Sequence, residues 1–596
     1  MASFFGWVPV TGCSNYEIQI SRDDAFHDIF KSKRTSDVRY HEHLYFPREP
    51  LPSGKFSWRV RAVVGDSTSR WSETYHVSVN TNRTVAPTVV RQIGPQSPVF
   101  LMRNRAWDPL KNSERLSEII PTGFERVIVV DDIHLADPSR EAVERARKYE
   151  ALGVDFVVWN NRARVPLSQL EWFFQNFSHC IGTAEGEHFS GWHWEKGPEG
   201  NCTGEDYVLR AFTLCAKYGR FYFWGEGEAA RYDWTIVGQE NRETFRRYRR
   251  NIVPLFKTTC GNVALHSLGA MQGFLAADYF DNSGIWVDEW IWPECGFGKL
   301  GEVIPKERIV KNCEKVGTRQ CPWTYDVQLW LMGIASGATT FHLESAHQWT
   351  GEGGPAAQYG RYLLPFVRAV VQHDLIPSRK ALLDSIKVAV ACDDPQAKEQ
   401  HHGKYEPTFS FLTDLYALRG TPFQEVIPNN SRYGVITQLP PSAECLSKQT
   451  LIVLREQLLT PGTATALFKR AYPQRFVGDA FMWECDGTVI VMNSNENQDI
   501  PQKFSTPFQN GLLRSLDGTI GVHEYLIGKR SSDGFWFQTN CEYPDRDLEI
   551  SLACSRRPDV NIAPSSAAKR NEWVEATKML TLRLSHASGA VEVNLK

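Results

Sequence analysis

Two glutamates, two histidines and two tryptophans lie within ten residues in the second half of the segment 178–194. The segment begins as a predicted strand, because Cys180, Ile181 and Thr183 suit a pleated and buried backbone. The side chains that could do chemistry follow directly: Glu185, Glu187, His188, Trp192, His193 and Trp194. Carboxyl groups transfer protons, and indole rings offer flat faces on which sugar rings stack. A solvated loop with core tryptophans is the alternative, so this cluster alone does not decide the function.

Acidic or amide residues also end five other predicted strands. They are Asp131 and Asp132, Asn160 and Asn161, Glu226 and Glu228, Asp288 and Glu289, and Glu344. If these strands are parallel and close into a barrel, their ends meet at one rim, where active sites of such barrels are built. Like charges gathered there repel each other and resist desolvation, so a ring of acids indicates a functional site.

The elements that must position these residues form a repeated pattern between residues 98 and 375. Short apolar runs alternate there with longer amphipathic runs, such as 139–152 and 205–218, which is typical of βα units. The eight strand candidates are 99–102, 126–132, 155–161, the start of 178–194, 220–226, 262–267, 284–289 and 339–345. Eight such units predict a (β/α)8 TIM barrel. A doubly wound sheet is disfavoured because no glycine-rich phosphate fingerprint follows the first strand.

The flanking regions are β-rich. Residues 1–85 contain alternating strands separated by Pro and Gly turns, which predicts a fibronectin III/Ig-like β-sandwich. Residues 376–596 contain further alternating runs and predict one or two C-terminal β-sandwich domains. The predicted protein is therefore multidomain, with a central barrel at 98–375.

Two kinds of site could use an acidic rim: glycoside hydrolysis with paired carboxylates, or binding of a divalent metal. His188, His266 and His342 could be ligands, but no HExxH pattern occurs. Tryptophans lie near the acids, at 159, 192, 224, 286, 290 and 349, and they favour sugar stacking. The sequence thus predicts no metal and no cofactor. The predicted substrate-binding residues are Asp131, Asn160, Glu185, Trp192, Trp224, Glu226, Trp286, Asp288, Trp290, His342 and Trp349.

Composition excludes several other classes of protein. The net charge of −3 is spread without long runs, which gives no footprint for nucleic acid or an anionic membrane. The sequence contains no run of 18 apolar residues, so no membrane-spanning helix is predicted. The 13 cysteines are scattered without a CxxC pair, so no disulfide framework or zinc motif is predicted. We expect a monomer that acts on a polysaccharide or oligosaccharide outside the cytoplasm, as a secreted, periplasmic or cell-surface protein, although the first residues do not match a signal peptide.

Three stretches carry a resemblance to a known family. They are Tyr207–Glu226, Gly273–Trp290 and Leu329–Ala346. Each resembles a segment of glycoside hydrolase family 98, a family of endo-acting enzymes with a (β/α)8 barrel and β-sandwich domains. A long insertion at about 293–321 departs from the family pattern and lies where it could reshape the substrate cleft.

The resemblance implies an inverting mechanism and a β-1,4 linkage, either in xylan or in galactose-containing blood-group glycans. It implies one glutamic acid as proton donor, and an aspartate and a glutamate that together hold the attacking water. By this resemblance, the proton donor lies in the segment 178–194, the aspartate is Asp278 and the water-holding glutamate is Glu344. Glu185 and Glu187 are both candidates for the acid, and Glu187 is preferred because it lies further along the strand toward the cleft.

Three rival interpretations stay open at this point. A retaining barrel glycosidase would pair Glu187 with Asp288 or Glu289, and its carboxyl groups would be about 5 Å apart instead of the roughly 6.5–9.5 Å of an inverting enzyme. A barrel that only binds glycans would need fewer acids. A metal-dependent hydrolase would lose activity with a chelator.

Overall fold

A computed structural model gives the architecture of the 596-residue chain. The residues that it describes are 5–8, 10, 13, 15–36, 44–45, 51–79, 89–104, 126–131, 140–161, 165, 167–186, 204–226, 242–257, 261–287, 297–298, 319–320, 323–344, 350–351, 354–355, 359–391, 437–439, 450–454, 457, 463–473, 478, 480–493, 501–521, 524–541, 546–587 and 589–596. Internal contacts group the chain into two compact units: residues 1–91, 130–224 and 250–252 form one, and the remaining residues form the other.

The N-terminal region is an antiparallel β-structure, as the alternating sequence predicts. Its strands are β1 (Phe5–Gly6), β2 (Asn15–Ser21), β3 (Ile29–Ser36), β4 (Leu44–Tyr45), β5 (Gly54–Val64), β6 (Ser67–Thr68) and β7 (Tyr75–Val79). The main sheet has the order β3-β2-β5-β6, with β7 also on β5, and β1 pairs with β4. Ile18, Ile20 and Phe56 are buried on one face of this sheet, since side chains two residues apart share a face.

The central region is a closed barrel of eight strands in the order β10-β11-β12-β13-β14-β17-β8-β9. The strands of this region are β8 (Val99–Asn104), β9 (Val127–Asp131), β10 (Phe156–Asn161), β11 (Cys180–Gly186), β12 (Phe221–Glu226), β13 (Ile252–Lys257), β14 (Gly284–Val287), β15 (Phe297–Gly298), β16 (Arg319–Gln320), β17 (Thr340–Leu343), β18 (Thr350–Gly351) and β19 (Gly354–Pro355). Two small two-stranded sheets, β15-β16 and β18-β19, accompany the barrel. The predicted TIM barrel is confirmed.

Helices follow the barrel strands at the expected places. The helices in the described part of the chain are α1 (Arg140–Leu152), α2 (Leu167–Asn176), α3 (Gly204–Lys217), α4 (Arg242–Tyr248), α5 (Gly261–Ala276), α6 (Trp323–Ala335), α7 (Leu364–Gln372), α8 (Arg379–Ser385) and α9 (Thr463–Ala471). A π-helical turn at Tyr359–Leu363 precedes α7. The helices predicted at 139–152 and 205–218 are α1 and α3. Among the described residues, no helix is long and apolar enough to cross a membrane.

One predicted strand is wrong. Residues 262–267 lie in helix α5, and the sixth barrel strand is β13, ten residues earlier. The run 262–267 has an apolar centre of only three residues, Val263, Ala264 and Leu265, and so short an apolar run does not distinguish a buried strand from a buried helix. Helix α5 is largely apolar, with Met271, Phe274 and Leu275 all buried, so the helical period is weak in its sequence.

The C-terminal region contains a small parallel sheet and a β-sandwich. The strands are β20 (Val388–Ala391), β21 (Thr437–Leu439), β22 (Leu451–Leu454), β23 (Phe481–Cys485), β24 (Thr488–Met492), β25 (Gln502–Pro507), β26 (Leu513–Ile520), β27 (Glu524–Arg530), β28 (Phe535–Cys541), β29 (Asp547–Cys554), β30 (Val560–Ala563), β31 (Ala568–Val574), β32 (Met579–Ser585) and β33 (Val591–Leu595). The sheet β21-β20-β22 is parallel.

The sandwich consists of two antiparallel sheets that share one core. A six-stranded sheet has the order β23-β24-β27-β28-β33-β30, and a five-stranded sheet has the order β25-β26-β29-β32-β31. Val489 and Phe537 from the first sheet and Ile550 and Leu582 from the second belong to one buried cluster. The predicted C-terminal β-sandwich is thereby confirmed, while the boundaries 1–85, 98–375 and 376–596 stay predictions.

Candidate active site

Glu344 directly follows strand β17, so it lies at the carboxyl end of the barrel. Its carboxylate is buried, with 5 % of the residue exposed. Oε1 accepts a hydrogen bond from Arg103 Nη1 at 2.7 Å, and Oε2 accepts one from Trp286 Nε1 at 3.0 Å. Both oxygens are therefore oriented by donors from neighbouring strands, β8 and β14.

The alternation of side chains explains why these residues meet. Phe341 packs against Trp330 of α6, with ring centroids 5.8 Å apart, so Phe341 faces the helices. His342 and Glu344 are one and three positions further and therefore face the barrel interior. Trp286 pairs in register with His342, and their rings meet edge to face at 4.4 Å.

Gly225, near the end of β12, makes room for the Trp286 ring. A Cβ atom at position 225 would lie 1.9 Å from two carbons of that ring, far inside contact distance. Inside a TIM barrel, side chains from alternate strands lie in the same layer. The Trp286 side chain of β14 can therefore reach position 225 of β12, although β13 lies between the two strands. The glycine thus permits the rotamer in which the Trp286 N–H reaches Glu344.

The chemistry of this cluster follows from its donors. A carboxylate that accepts one hydrogen bond from a guanidinium and one from an indole N–H is fixed in position. A charged carboxylate can accept a proton from water, whereas a proton donor has to be protonated before it acts. Hydrogen bonds from two strands therefore hold the Glu344 carboxylate in one orientation at the carboxyl end of the barrel.

Asp131, predicted to bind substrate, holds a helix against its strand. It is 1 % exposed at the end of β9. Its Oδ2 accepts a hydrogen bond from Tyr149 Oη at 2.7 Å, and Arg145 Nε lies 3.2 Å from both carboxylate oxygens. Both partners belong to α1, the helix that follows β9. This environment favours a structural role for Asp131.

Asn160 and Trp224 are likewise fully buried. Asn160 Oδ1 accepts a hydrogen bond from the Val165 backbone N–H at 2.8 Å and so fixes the chain after β10. The Trp224 ring meets Phe212 of α3 edge to face at 5.6 Å, on the helix side of β12. With 0 % of Trp224 and 1 % of Trp286 exposed, neither ring presents an open face to a sugar.

The structure does not bring Asp278 to Glu344. Asp278 lies between α5 and the first residue of β14, at the amino end of the barrel, whereas Glu344 follows the last residue of β17. The length of β14 separates these two ends, and its four residues span about 13 Å. The assignment of Asp278 to catalysis, which the family resemblance implied, does not fit this placement, because sequence similarity alone did not indicate at which end of the strand the residue lies.

Asp278 instead belongs to an ion-pair cluster. Its carboxylate pairs with Arg249 and, at 3.0 Å, with Arg379 of α8, and Asp281 pairs with Arg249 at 3.1 Å. Arg379 also donates to the Phe280 carbonyl at 3.4 Å. Asp278 has a φ of +63°, a left-handed conformation that Asp and Asn tolerate better than most residues.

Asp278→Asn is expected to lower the free energy of unfolding by up to about 1 kcal/mol, the usual range for a partly exposed ion pair. Asn keeps the left-handed backbone and removes only the charge, so turnover by the folded protein should stay near the wild-type value. Denaturant unfolding and initial rates, measured on the same preparation, check both parts. A hundredfold loss of turnover without a loss of stability would restore Asp278 as a catalytic residue.

Several predicted site residues lie outside the described residues: Glu187, Trp192, Asp288, Trp290 and Trp349. Two others are placed by their strands. Glu185 is the penultimate residue of β11, in register with Asn160, and Glu226 is the last residue of β12. Both backbone positions are at the carboxyl end of the barrel, and the predicted roles of these residues stay predictions.

Sequence reasoning missed Arg103. It is 2 % exposed and lies in β8, within the run Val99–Asn104. A lone arginine near the end of an otherwise apolar strand indicates a buried ion pair, because buried arginines need a partner.

Within the part of the chain that the structure describes, the residues brought close enough to hold a metal ion are in the C-terminal sandwich and not in the barrel.

The closed eight-stranded barrel places the protein among the (β/α)8 proteins, and comparison with known proteins gives its family. The model of glycosyl hydrolase family 98 matches residues 149–377, and the model of its C-terminal domain matches 379–548. Together these matches span roughly two thirds of the chain. The chain belongs to glycosyl hydrolase family 98 and is a glycosidase of that family.

Solved structures agree with this fold. The catalytic module of a family 98 glycoside hydrolase from Streptococcus pneumoniae TIGR4, in complex with the H-disaccharide blood group antigen, has a TM-score of 0.68 at 17% identity, over 85% of this chain and 100% of that chain. The same module in complex with the LewisY pentasaccharide blood group antigen has a TM-score of 0.67 at 16% identity, with the same coverage. No curated protein matches the chain by sequence.

Proposed function

We propose that the protein is an endo-acting, inverting glycoside hydrolase that cleaves a β-1,4 linkage in a complex glycan. The observation that carries the proposal is the buried Glu344 carboxylate, oriented by Arg103 and Trp286 at the carboxyl end of the barrel. An inverting enzyme needs a carboxylate that holds water on the face opposite the leaving group. Galactose-containing blood-group glycans are the first candidates, because two similar structures carry blood group antigens, and β-1,4-xylan is the second.

Asp288 is the residue that we propose as the partner of Glu344 in place of Asp278. It lies outside the described residues, but it directly follows Val287 in the sequence. Val287, the last residue of β14, pairs in register with Leu343, which directly precedes Glu344. The backbone N–H of Glu344 also donates to the Val287 carbonyl at 3.2 Å.

The proton donor that we propose is Glu187, with Glu185 as the alternative. Glu187→Gln should lower turnover on a natural glycan by about two to four orders of magnitude. A nitrophenyl glycoside has a good leaving group that needs little protonation, so the same variant should recover much of its rate on that substrate. Glu344→Gln is the matched control that should show no such recovery. Recovery in Glu185→Gln and not in Glu187→Gln would move the acid by two residues.

Product analysis tests the reaction itself. Blood-group glycans with internal β-1,4-galactose and β-1,4-xylan oligosaccharides are incubated with the enzyme, and mass spectrometry locates the cleaved bond. Proton NMR at early times should show the α-anomer as the first product, because inversion of a β linkage gives α. A first product of β configuration would indicate the retaining mechanism with Glu187 and Asp288 or Glu289. Binding without cleavage of any glycan would indicate a glycan-binding barrel.

We propose that the enzyme acts on these glycans outside the cytoplasm and as a monomer. Large glycans are encountered there, and the family is one of carbohydrate-degrading enzymes. Fractionation of the native source with an antibody against the chain, and light scattering of the purified protein, test the two statements.

A further inference from the structure

Three side chains with metal-binding atoms meet in the C-terminal sandwich, outside the barrel site. Glu524, Cys541 and His586 are each 0 % exposed. One ligand atom from each residue lies within 4.8 Å of the other two, and His586 Nδ1 is 3.5 Å from Glu524 Oε1. In a tetrahedral zinc site with ligand distances near 2 Å, nitrogen and oxygen ligands are about 3.3 Å apart. The three residues therefore need only small shifts to share one ion.

The topology of the sandwich places this cluster between its two sheets. Glu524 is the first residue of β27 and Cys541 is the last residue of β28, and the two pair directly in register. Paired residues of an antiparallel ladder share a face. His586 directly follows β32, a strand of the other sheet. A shared ion would thus link one sheet to the other.

The polar atoms of the cluster are incompletely satisfied. Glu524 Oε2 accepts a hydrogen bond from the Gly521 N–H. Among the described residues, Glu524 Oε1 has no hydrogen-bond donor within ordinary range, and His586 Nδ1 lies 3.5 Å from it. Buried polar groups without partners are costly, and each calls for an explanation such as an ion. This is the observation, independent of the clustering, that points to a ligand.

The charges around the cluster are compatible with a cation. Its three members are an acid, a thiol and an imidazole, with no lysine or arginine among them. A divalent ion with a carboxylate, a thiolate and a neutral imidazole has no net charge, so Arg546 nearby does not repel it strongly.

We propose that Glu524, Cys541 and His586 form a zinc site that ties the two sheets of the C-terminal sandwich together. Thiolate, imidazole and carboxylate are the donors that Zn²⁺ takes in proteins, and three of them leave one tetrahedral position for water or another donor. Binding releases the thiol proton and any proton on Glu524 to solvent. The ion stabilises the fold and takes no part in the barrel chemistry.

The site also lies where the sandwich meets the barrel helices. Gln328 Nε2 of α6 donates to the backbone carbonyl of Asn493 at 2.8 Å, and the Asn493 N–H donates to the Glu524 carbonyl at 3.2 Å. Arg361, in the π-helical turn before α7, donates to the His586 carbonyl at 3.2 Å. Loss of the ion should therefore loosen this junction as well as the sandwich.

Metal analysis of the full chain, purified under reducing conditions without a polyhistidine tag, tests the proposal. After addition and removal of excess zinc, we expect about one zinc per chain, as for a single structural site. EDTA should lower the melting temperature, since metal binding is coupled to folding, and cobalt in place of zinc should give a thiolate charge-transfer band. A chain that holds no zinc and is indifferent to EDTA overturns the site in favour of a neutral Glu524–His586 pair.

Matched variants identify the ligands. Cys541→Ser and His586→Asn should each lose zinc, the EDTA response and, for Cys541→Ser, the cobalt band. Cys554→Ser is the control, because Cys554 is buried in the same sandwich but lies outside the cluster. Wild-type zinc content in both ligand variants overturns the assignment. Should a ligand variant fail to fold, the cobalt spectrum of the wild-type protein still decides between thiolate ligation and none.

Discussion

Replacing Glu344 with glutamine is expected to lower turnover by about two to four orders of magnitude, the usual scale for losing a positioned base. The amide keeps the shape of the side chain but cannot take a proton from water. Its NH₂ group also faces one of the two donors, Arg103 or Trp286, that the carboxylate satisfies in the wild-type protein. Initial rates on the best glycan of the panel measure the effect.

Glutamine at position 344 also leaves one buried donor without an acceptor, which costs about 1–3 kcal/mol of stability. The assay therefore has to be run well below the melting temperature of the variant, with circular dichroism as the check on folding. Asp278→Asn is the matched control, since it removes a carboxylate from the opposite end of the barrel. Turnover within a few fold of wild type for a folded Glu344→Gln protein would exclude Glu344 as the base.

Replacing Arg103 with methionine is expected to give the largest loss of stability, about 3–5 kcal/mol, because it leaves the buried Glu344 carboxylate without its cation. The side chains of Arg103 and Glu344 are 3% and 6% exposed, so bulk solvent screens the unpaired charge only weakly. Denaturant unfolding followed by tryptophan fluorescence measures the change. Arg583→Met is the control: it breaks an exposed ion pair with Asp547, which is worth about 1 kcal/mol or less.

The double variant Arg103→Met with Glu344→Gln separates the ion pair from simple packing. A neutral amide at position 344 removes the unpaired charge, so the loss of stability in the double variant should be smaller than the sum of the two single losses, by an interaction energy of about 0.5–3 kcal/mol. Strictly additive losses would mean that the two side chains do not interact energetically, and the orientation of Glu344 by Arg103 would then be wrong.

The sequence by itself determined the barrel and the position of its rim. Strand and helix periods differ, so the runs 126–132 and 284–289 could be assigned as strands, and the acids that end them could be placed at the carboxyl end. The same reasoning failed at 262–267, where an apolar run without clear periodicity is helix α5. Periodicity reports which face of an element is apolar, and it loses that power when every face is apolar.

Only the tertiary structure decided which side chains meet. Arg103 and Glu344 are 241 residues apart and contact each other because β8 closes the barrel against β17. Trp224 and Trp286 both looked like sugar platforms, yet the first packs on helix α3 and the second orients a carboxylate. Glu524, Cys541 and His586 show no motif, since two sheets bring them together. A sequence encodes the direction of a side chain within its own element, whereas its partners depend on how strands from distant parts of the chain are ordered in space.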